Sequence, residues 1–134
     1  MAESSKGKTI GYWIATAIVL LAFGAGGVGD LLSPPEVVQQ FTDLGYPAYL
    51  PRFLGVCKIL GAVAIAAPKF PRIKEWAYAG MCLDLLGATY SHLANGDGAD
   101  KIAPPIVVLV VVVASYMLRP DDRKLPASAS ASGT

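Results

Sequence analysis

The chain has 134 residues, a formal net charge of +1 and a composition that is 54% hydrophobic but only 16% charged. Soluble domains average about 25% charged residues, so this composition excludes a disordered chain and argues against a soluble enzyme. The basic residues are scattered among short loops, so no basic face for nucleic acid is expected.

The first predicted element is a transmembrane helix over residues 10–29, a stretch that contains no charged residue. Twenty helical residues span about 30 Å, the thickness of the hydrocarbon core of a bilayer. The end of this stretch, Gly24 to Gly29, also satisfies the G-x-G-x-x-G pattern of dinucleotide-binding folds. The prolines at 34 and 35 would interrupt the helix that such a fold requires, so no intrinsic cofactor is predicted. The small residues are predicted to pack against other helices in the pairs Ala22/Gly26 and Ala25/Gly29.

The second predicted element is a short amphipathic helix between transmembrane helices 1 and 2. Residues 33–36, Ser-Pro-Pro-Glu, have the form of a capping box with Ser33 as the N-cap. The apolar residues Val37, Phe41 and Leu44 follow at helical spacing. We expect this helix to lie on the external surface of the membrane or to fold back over the bundle.

Three further apolar segments, residues 49–67, 75–93 and 102–118, are each long enough to approach or match a membrane span. The last contains a valine run that would favour a buried strand in a soluble protein. Its length and the three preceding spans favour a helix. The sequence therefore predicts an all-α fold: a membrane-spanning antiparallel four-helix bundle with one short external amphipathic helix.

The distribution of lysine and arginine predicts the orientation in the membrane. Eight of the 11 basic residues lie in the N-terminal tail, the loop after span 2 or the C-terminal tail, and only Arg52 and Lys101 lie on the opposite side. Cytoplasmic loops retain positive charge. The prediction is a multi-pass protein of the inner (plasma) membrane, with a transmembrane domain at 10–118 and cytoplasmic tails at 1–9 and 119–134. The low-complexity C-terminal tail is expected to be disordered.

Two charged residues fall inside the predicted spans, where an ionisable side chain costs about 2.5–3.5 kcal/mol and normally finds a partner. Lys58 lies near the middle of the second span, and Asp84 lies near the middle of the third. Each stands on a helix face rich in glycine and alanine, which permits close packing. The sequence predicts a Lys58–Asp84 ion pair in the core. The pair either fixes the helix register or forms the polar floor of a ligand cavity.

A second polar cluster is expected toward the external ends of the helices, formed by Asp30, Arg52 and His92. Ser91 precedes the single histidine but is turned about 100° from it, so a nucleophile–base pair is not favoured. No catalytic residue is assigned. The candidate ligand-binding or intramembrane polar residues are therefore Lys58, Asp84, Ser91, His92, Asp30 and Arg52.

Metal and thiol chemistry receive little support from the sequence. His92, Asp97 and Asp100 are a weak set of mixed ligands on a loop, so no metal site is predicted. Cys82 is turned about 200° from Asp84 on its helix, which disfavours a redox role for the cysteines. Cys57 and Cys82 are predicted to be buried structural thiols.

Ordered motifs run through three of the predicted spans, namely PPEVV at 34–38, LGYPAY at 44–49, RFLGVCKILGA at 52–62, FPRIKEWAYAG at 70–80 and DLLGATYSH at 84–92. Together they resemble the DoxX-like family of small four-helix membrane proteins. In that family a lysine of helix 2 and an aspartate of helix 3 recur, and these correspond to Lys58 and Asp84. Many members carry a lysine near the end of helix 1 where this chain has Asp30, so no role is transferred to that position. The resemblance implies a bacterial-type inner-membrane protein.

The wider DoxX and DoxD group includes subunits linked to thiosulfate:quinone oxidoreduction, which leads by analogy to a first hypothesis. In this hypothesis the protein is a subunit without catalytic activity of its own, and it binds a quinone or another lipid-like molecule at Lys58 and Asp84. Its role would lie in redox chemistry, as an accessory subunit of a quinone-linked oxidoreductase, or in envelope homeostasis. The second hypothesis is a non-enzymatic assembly or scaffold subunit, and the third is a small proton-coupled exporter. The expected partners are the lipid bilayer and either a membrane redox protein or a second copy of the chain.

Overall fold

The structure, a computed structural model, describes residues 2–120, 123 and 124, with side chains from Lys6 onward. The described residues form five α-helices and no strand, which confirms the all-α prediction. The short second helix lies between long helices, in the predicted order. The helices are α1 (Ala2–Leu32), α2 (Pro35–Asp43), α3 (Leu50–Ala66), α4 (Pro71–Ala94) and α5 (Ala99–Met117).

Among the described residues, two helical segments are long and apolar enough to cross a bilayer: residues 6–32 in α1 and residues 99–117 in α5. The helix α3 has only 17 residues, fewer than the roughly 20 that a perpendicular span needs. The helix α4 has 24 residues but includes several charged ones. The arrangement with four spans therefore stays a prediction.

The four long helices form a ring in which each packs against two antiparallel neighbours. The helix α1 contacts α3 and α5, and α4 contacts the same two helices from the other side. We call the end of the bundle where α2 lies the α2 end, and the opposite end, where α5 finishes, the tail end. The buried core is apolar and includes Val19, Phe23, Ile65, Met81 and Val112.

A connected set of hydroxyl groups interrupts this apolar core in its tail-end half. The Ser115 Oγ lies 2.6 Å from Thr16 Oγ1 and 2.7 Å from Tyr78 OH. Thr16 and Ser115 are completely buried. Buried hydroxyls are tolerated because they satisfy one another's hydrogen bonds, and this set joins α1, α4 and α5. Sequence analysis did not single out these residues, because nothing in their spacing shows that they meet.

The α1–α2 connection differs from the predicted capping box. Ser33 lies before the N-cap rather than at it, since Pro34 is the N-cap of α2 and Pro35 is its first helical residue. The Ser33 hydroxyl donates a hydrogen bond of 2.7 Å to the Asp30 carbonyl oxygen. The predicted capping role of Ser33 is therefore wrong: its hydroxyl satisfies a carbonyl at the end of α1.

The helices α1 and α3 approach each other closely at Gly27 and Gly55. A Cβ atom at Gly55 would lie 2.6 Å from the Gly27 carbonyl oxygen and 2.5 Å from the Leu31 nitrogen. The prediction that Gly26 and Gly29 pack against other helices is wrong within this chain, because a Cβ at either position would meet nothing within 4 Å. Ala22, the partner of Gly26 in the predicted pair, does pack against the core. The helix α1 contacts α3 through Gly27, which is turned about 100° around the helix from Gly26.

Two basic side chains cap the carboxyl end of α3 at the tail end of the bundle. Lys74, only 1% exposed, donates hydrogen bonds to the carbonyl oxygens of Ala64, at 2.7 Å, and Ala67. Arg123 donates a 2.9 Å hydrogen bond to the Ile65 carbonyl oxygen. Positive charge at this position also interacts favourably with the negative end of the helix dipole.

The residues that follow α5 are held against the bundle. The Arg119 guanidinium lies 2.7 Å from Glu75 Oε1 and 3.8 Å from the centre of the Tyr116 ring, and Arg123 lies 4.7 Å from the ring centre of Trp13. The prediction of a disordered tail that begins at residue 119 is therefore wrong for Arg119 and Arg123. Residues 125–134 of that tail lie outside the described residues.

Replacing Lys74 with methionine is expected to lower the free energy of unfolding by about 1–3 kcal/mol, because buried carbonyl groups lose their donor. Unfolding in mixed detergent and SDS micelles, followed by circular dichroism, measures the change. The matched control is Lys69→Met, since Lys69 is exposed and forms no such cap. Equal effects of the two substitutions would contradict the capping role.

Candidate functional site

A groove between α3 and α4 contains the two charged residues that the sequence singled out. Its volume is about 390 Å³, and its lining is apolar apart from Lys58 and Asp84. Phe23 of α1 forms part of the lining. Ligand pockets in proteins typically have volumes of about 300–1,000 Å³ and a few polar groups in an apolar lining. The groove has these properties.

The ion partner of Lys58 is Asp30, so the predicted Lys58–Asp84 ion pair is wrong. The Lys58 Nζ lies 2.7 Å from Asp30 Oδ2, and the two side chains are only 22% and 13% exposed. The contact between Gly27 and α3 explains this choice, because a Cβ at Gly27 would lie 3.0 Å from the Cβ of Lys58. Asp30 stands one turn further along α1 and is therefore within reach.

Asp84 lines the groove without a direct partner. It has no hydrogen bond and no ion pair within 4.0 Å among the described residues. It is half-buried, and it interacts electrostatically with both Lys58 and Asp30. The groove therefore contains one carboxyl group that is available to a ligand.

The mouth of the groove opens on the side of the bundle. Trp76 and Leu60, which line it, are 75% and 63% exposed. Cys57 also lines the groove and is exposed, so its prediction as a buried thiol is wrong. Cys82 is half-buried and lies on the other side of α4, beside Tyr116 of α5. The predicted opposition of Cys82 and Asp84 on α4 is confirmed.

The predicted second polar cluster does not form. Asp30 pairs with Lys58, Arg52 is exposed, and the His92 Nδ1 lies 2.7 Å from Asp97 Oδ2 in the α4–α5 turn. Ser91 is buried and lies 2.5 Å, oxygen to oxygen, from the Tyr46 hydroxyl. These contacts connect the segments at the α2 end to α4. Neither Ser91 nor His92 lines the groove.

A second cavity of about 390 Å³ lies at the α2 end, between α2 and the α4–α5 turn. It is lined by polar residues that include Asp43, His92, Asp97 and Asp100. Within the described part of the chain, no group of three or more histidine, cysteine, aspartate or glutamate side chains could hold a metal ion. The weak set His92, Asp97 and Asp100 is thus not brought together as a metal site.

The His92–Asp97 contact predicts an acid-sensitive α4–α5 turn. The hydrogen bond from His92 lowers the pKa of Asp97, as does a bond from Asn95. A lowered folded-state pKa stabilises the fold above the unfolded value of about 3.9, and this contribution disappears as the pH falls through the folded-state pKa. The difference in melting temperature between wild type and Asp97→Asn should therefore shrink as the pH falls below about 4. A difference that is independent of pH would contradict this role.

Comparison with known protein families identifies a match over most of the chain. The model of a protein family described as the DoxX-like family matches residues 14–115. No curated protein and no solved structure matches the chain. The matched region includes the three charged residues at and beside the groove, Asp30, Lys58 and Asp84.

Proposed function

The chain belongs to the DoxX-like family, and from this premise we propose that it is a small membrane protein that binds a quinone or a similar lipid-like molecule in the α3/α4 groove. The family and the two apolar helices indicate a membrane protein. The ligand, the redox or envelope role and the inner-membrane location with cytoplasmic termini are the proposed part.

The pattern of exposed side chains supports a bundle that is surrounded by lipid on all sides. The helix α3 is shorter than a perpendicular span and α4 includes several charged residues, yet both direct large apolar residues outward. Such surfaces are rare on soluble monomers and are expected in contact with acyl chains. Examples on these two helices are Phe53, Leu60, Val63, Trp76, Leu83, Leu86 and Leu93, each more than half exposed.

The observation that carries the ligand proposal is an apolar groove on the side of the bundle whose lining includes two charged groups, Lys58 and Asp84. A molecule dissolved in the membrane could enter past Trp76 and Leu60 without crossing water. Its apolar tail would contact the groove walls, and its polar head would meet Lys58 and Asp84. A quinone has this combination of a polar ring and an apolar tail.

The proposed role is that of an accessory subunit. The groove supplies binding groups but no group that stores electrons, so a quinone bound there would exchange electrons with a partner protein in the membrane. The side chains of Lys58 and Asp84 would orient the ring rather than react with it.

The test is mass spectrometry of the small molecules that remain with the protein after mild detergent extraction. We expect a quinone in the wild type and its loss in Ala64→Phe, because Ala64 lines the groove and the larger ring would fill it. The matched control is Ala66→Phe, on the exposed side of the same helix, which should retain the ligand. Recovery of ordinary phospholipid alone from all three proteins would contradict the proposal.

A second candidate function is proton-coupled transport, which the unpaired state of Asp84 favours. A Lys58–Asp84 pair would have neutralised the carboxyl group, whereas Lys58 is paired with Asp30. An intramembrane carboxyl group without an ion partner is a common element of proton relays. Substrate efflux from proteoliposomes that is driven by a pH gradient and lost in Asp84→Asn would distinguish this function from simple quinone binding.

A further inference from the structure

Two carboxyl groups and one ammonium group lie at and beside the groove: Lys58 and Asp84 line it, and Asp30 pairs with Lys58. Lys58 is engaged by Asp30 at 2.7 Å, while Asp84 has no ion pair or hydrogen bond within the described residues. When both carboxyl groups are ionised, Asp30, Lys58 and Asp84 together carry one uncompensated negative charge. Intramembrane charges normally have a partner, so a ligand that donates a hydrogen bond to Asp84 would supply what the chain lacks.

We propose that Asp84 is the specificity-determining residue of the groove and that it selects the reduced form of the ligand, a quinol, over the oxidised quinone. This inference rests on the proposed function. It adds the oxidation state of the ligand and the residue that recognises it.

The argument follows from the hydrogen-bonding groups of the two forms. A quinol hydroxyl both donates and accepts, so it can donate to the Asp84 carboxylate and accept from an N–H group of Lys58 that Asp30 does not use. A quinone oxygen can only accept. Beside Asp84 the lone pairs of the quinone oxygen would face those of the carboxylate oxygens, which also only accept. The Asp84 carboxylate would then receive no hydrogen bond from the ligand. Hydrogen bonds to charged groups are strong enough for this difference to produce a preference of about tenfold or more.

The experiment offers the full chain, in lipid nanodiscs under argon at about pH 8, an equimolar mixture of one quinone and its quinol. The probe has a ten-carbon tail and a ring that is substituted at every position, so that the exposed thiol of Cys57 cannot add to it. Bound ligand is separated from free ligand, extracted and quantified in both forms by chromatography.

We expect the bound ratio of quinol to quinone to be about 10:1 or higher in the wild type and close to 1:1 in Asp84→Asn, because an amide both donates and accepts. Asp84→Glu keeps the carboxylate and should keep the preference. Glu36→Gln removes an exposed carboxylate on α2, far from the groove lining, and should leave the ratio unchanged.

Each result decides between the two proposals. Binding of both forms in equal amounts by the wild type, or an undiminished preference in Asp84→Asn, would overturn the selection of quinol and leave quinone binding intact. Failure of the wild type to bind either form would overturn the proposed function and this inference with it.

Discussion

Replacing Lys58 with methionine is expected to lower the free energy of unfolding by about 3–5 kcal/mol, the range found when one partner of a buried ion pair is removed. The loss should be large because it leaves two carboxyl groups, Asp30 and Asp84, in the bundle without their cation. Methionine keeps most of the length of the lysine side chain and its contacts with the helices. Reversible unfolding in mixed detergent and SDS micelles measures the change.

The aspartates provide the controls that identify the partner. Asp84→Asn should change the stability by less than about 1 kcal/mol, since this side chain makes no ion pair or hydrogen bond in the described part of the chain. The loss of stability in Asp30→Asn should lie between the losses in Lys58→Met and Asp84→Asn. In that variant Lys58 can turn toward Asp84, which lines the same groove. A large loss in Asp84→Asn together with an unchanged Asp30→Asn would mean that Lys58 pairs with Asp84 after all.

The helices of this chain could be predicted well from the sequence, because long apolar stretches bounded by proline and glycine leave few alternatives. The predicted segment 49–67 corresponds to α3 (Leu50–Ala66), and 75–93 falls within α4 (Pro71–Ala94). The beginning of α1 was not predictable in the same way. Residues 2–9 are polar and were assigned to a tail, yet they continue the helix.

The candidate site was predicted in its residues but not in its pairing. The prediction paired Lys58 with Asp84 because both residues lie near the middle of consecutive helices and therefore at a similar depth in the membrane. Depth along an axis does not determine the distance between axes. The helices α1 and α3 approach closely at two glycines, whereas α3 and α4 are separated by the groove. The lysine therefore reaches the carboxyl group of the nearer helix.

The basic residues at the tail end illustrate a second limit of sequence analysis. Lys74, Arg119 and Arg123 were counted only as indicators of the cytoplasmic side. In the structure each also has a specific partner: the carbonyl groups of α3 for Lys74 and Arg123, and Glu75 for Arg119. A count of charges contains no information about such contacts, because backbone carbonyl groups occur at every residue.

The glycine contact that sets the distance between α1 and α3 leads to the second prediction with a large effect. Gly55 is the more constrained of the two glycines. A Cβ there would lie within 3 Å of backbone atoms of both Gly27 and Leu31, and backbone cannot move aside as a flexible side chain can. Any side chain at position 55 must therefore push α1 and α3 apart, and with them Asp30 and Lys58.

Gly55→Leu is accordingly expected to lower the free energy of unfolding by about 3 kcal/mol or more, which is at the upper end of the range for overpacked interiors. If the proposed quinone binds in the groove, the substitution should also abolish its retention, because the Asp30–Lys58 pair would no longer hold its position beside the groove. The matched control is Gly87→Leu, on an exposed face of α4 where an added Cβ meets nothing within 4 Å. There the better helix propensity of leucine should raise the stability by up to about 1 kcal/mol. If both substitutions had the same effect in the unfolding assay, the loss would reflect a larger side chain in a helix, and the close approach of α1 and α3 would not be what positions Lys58.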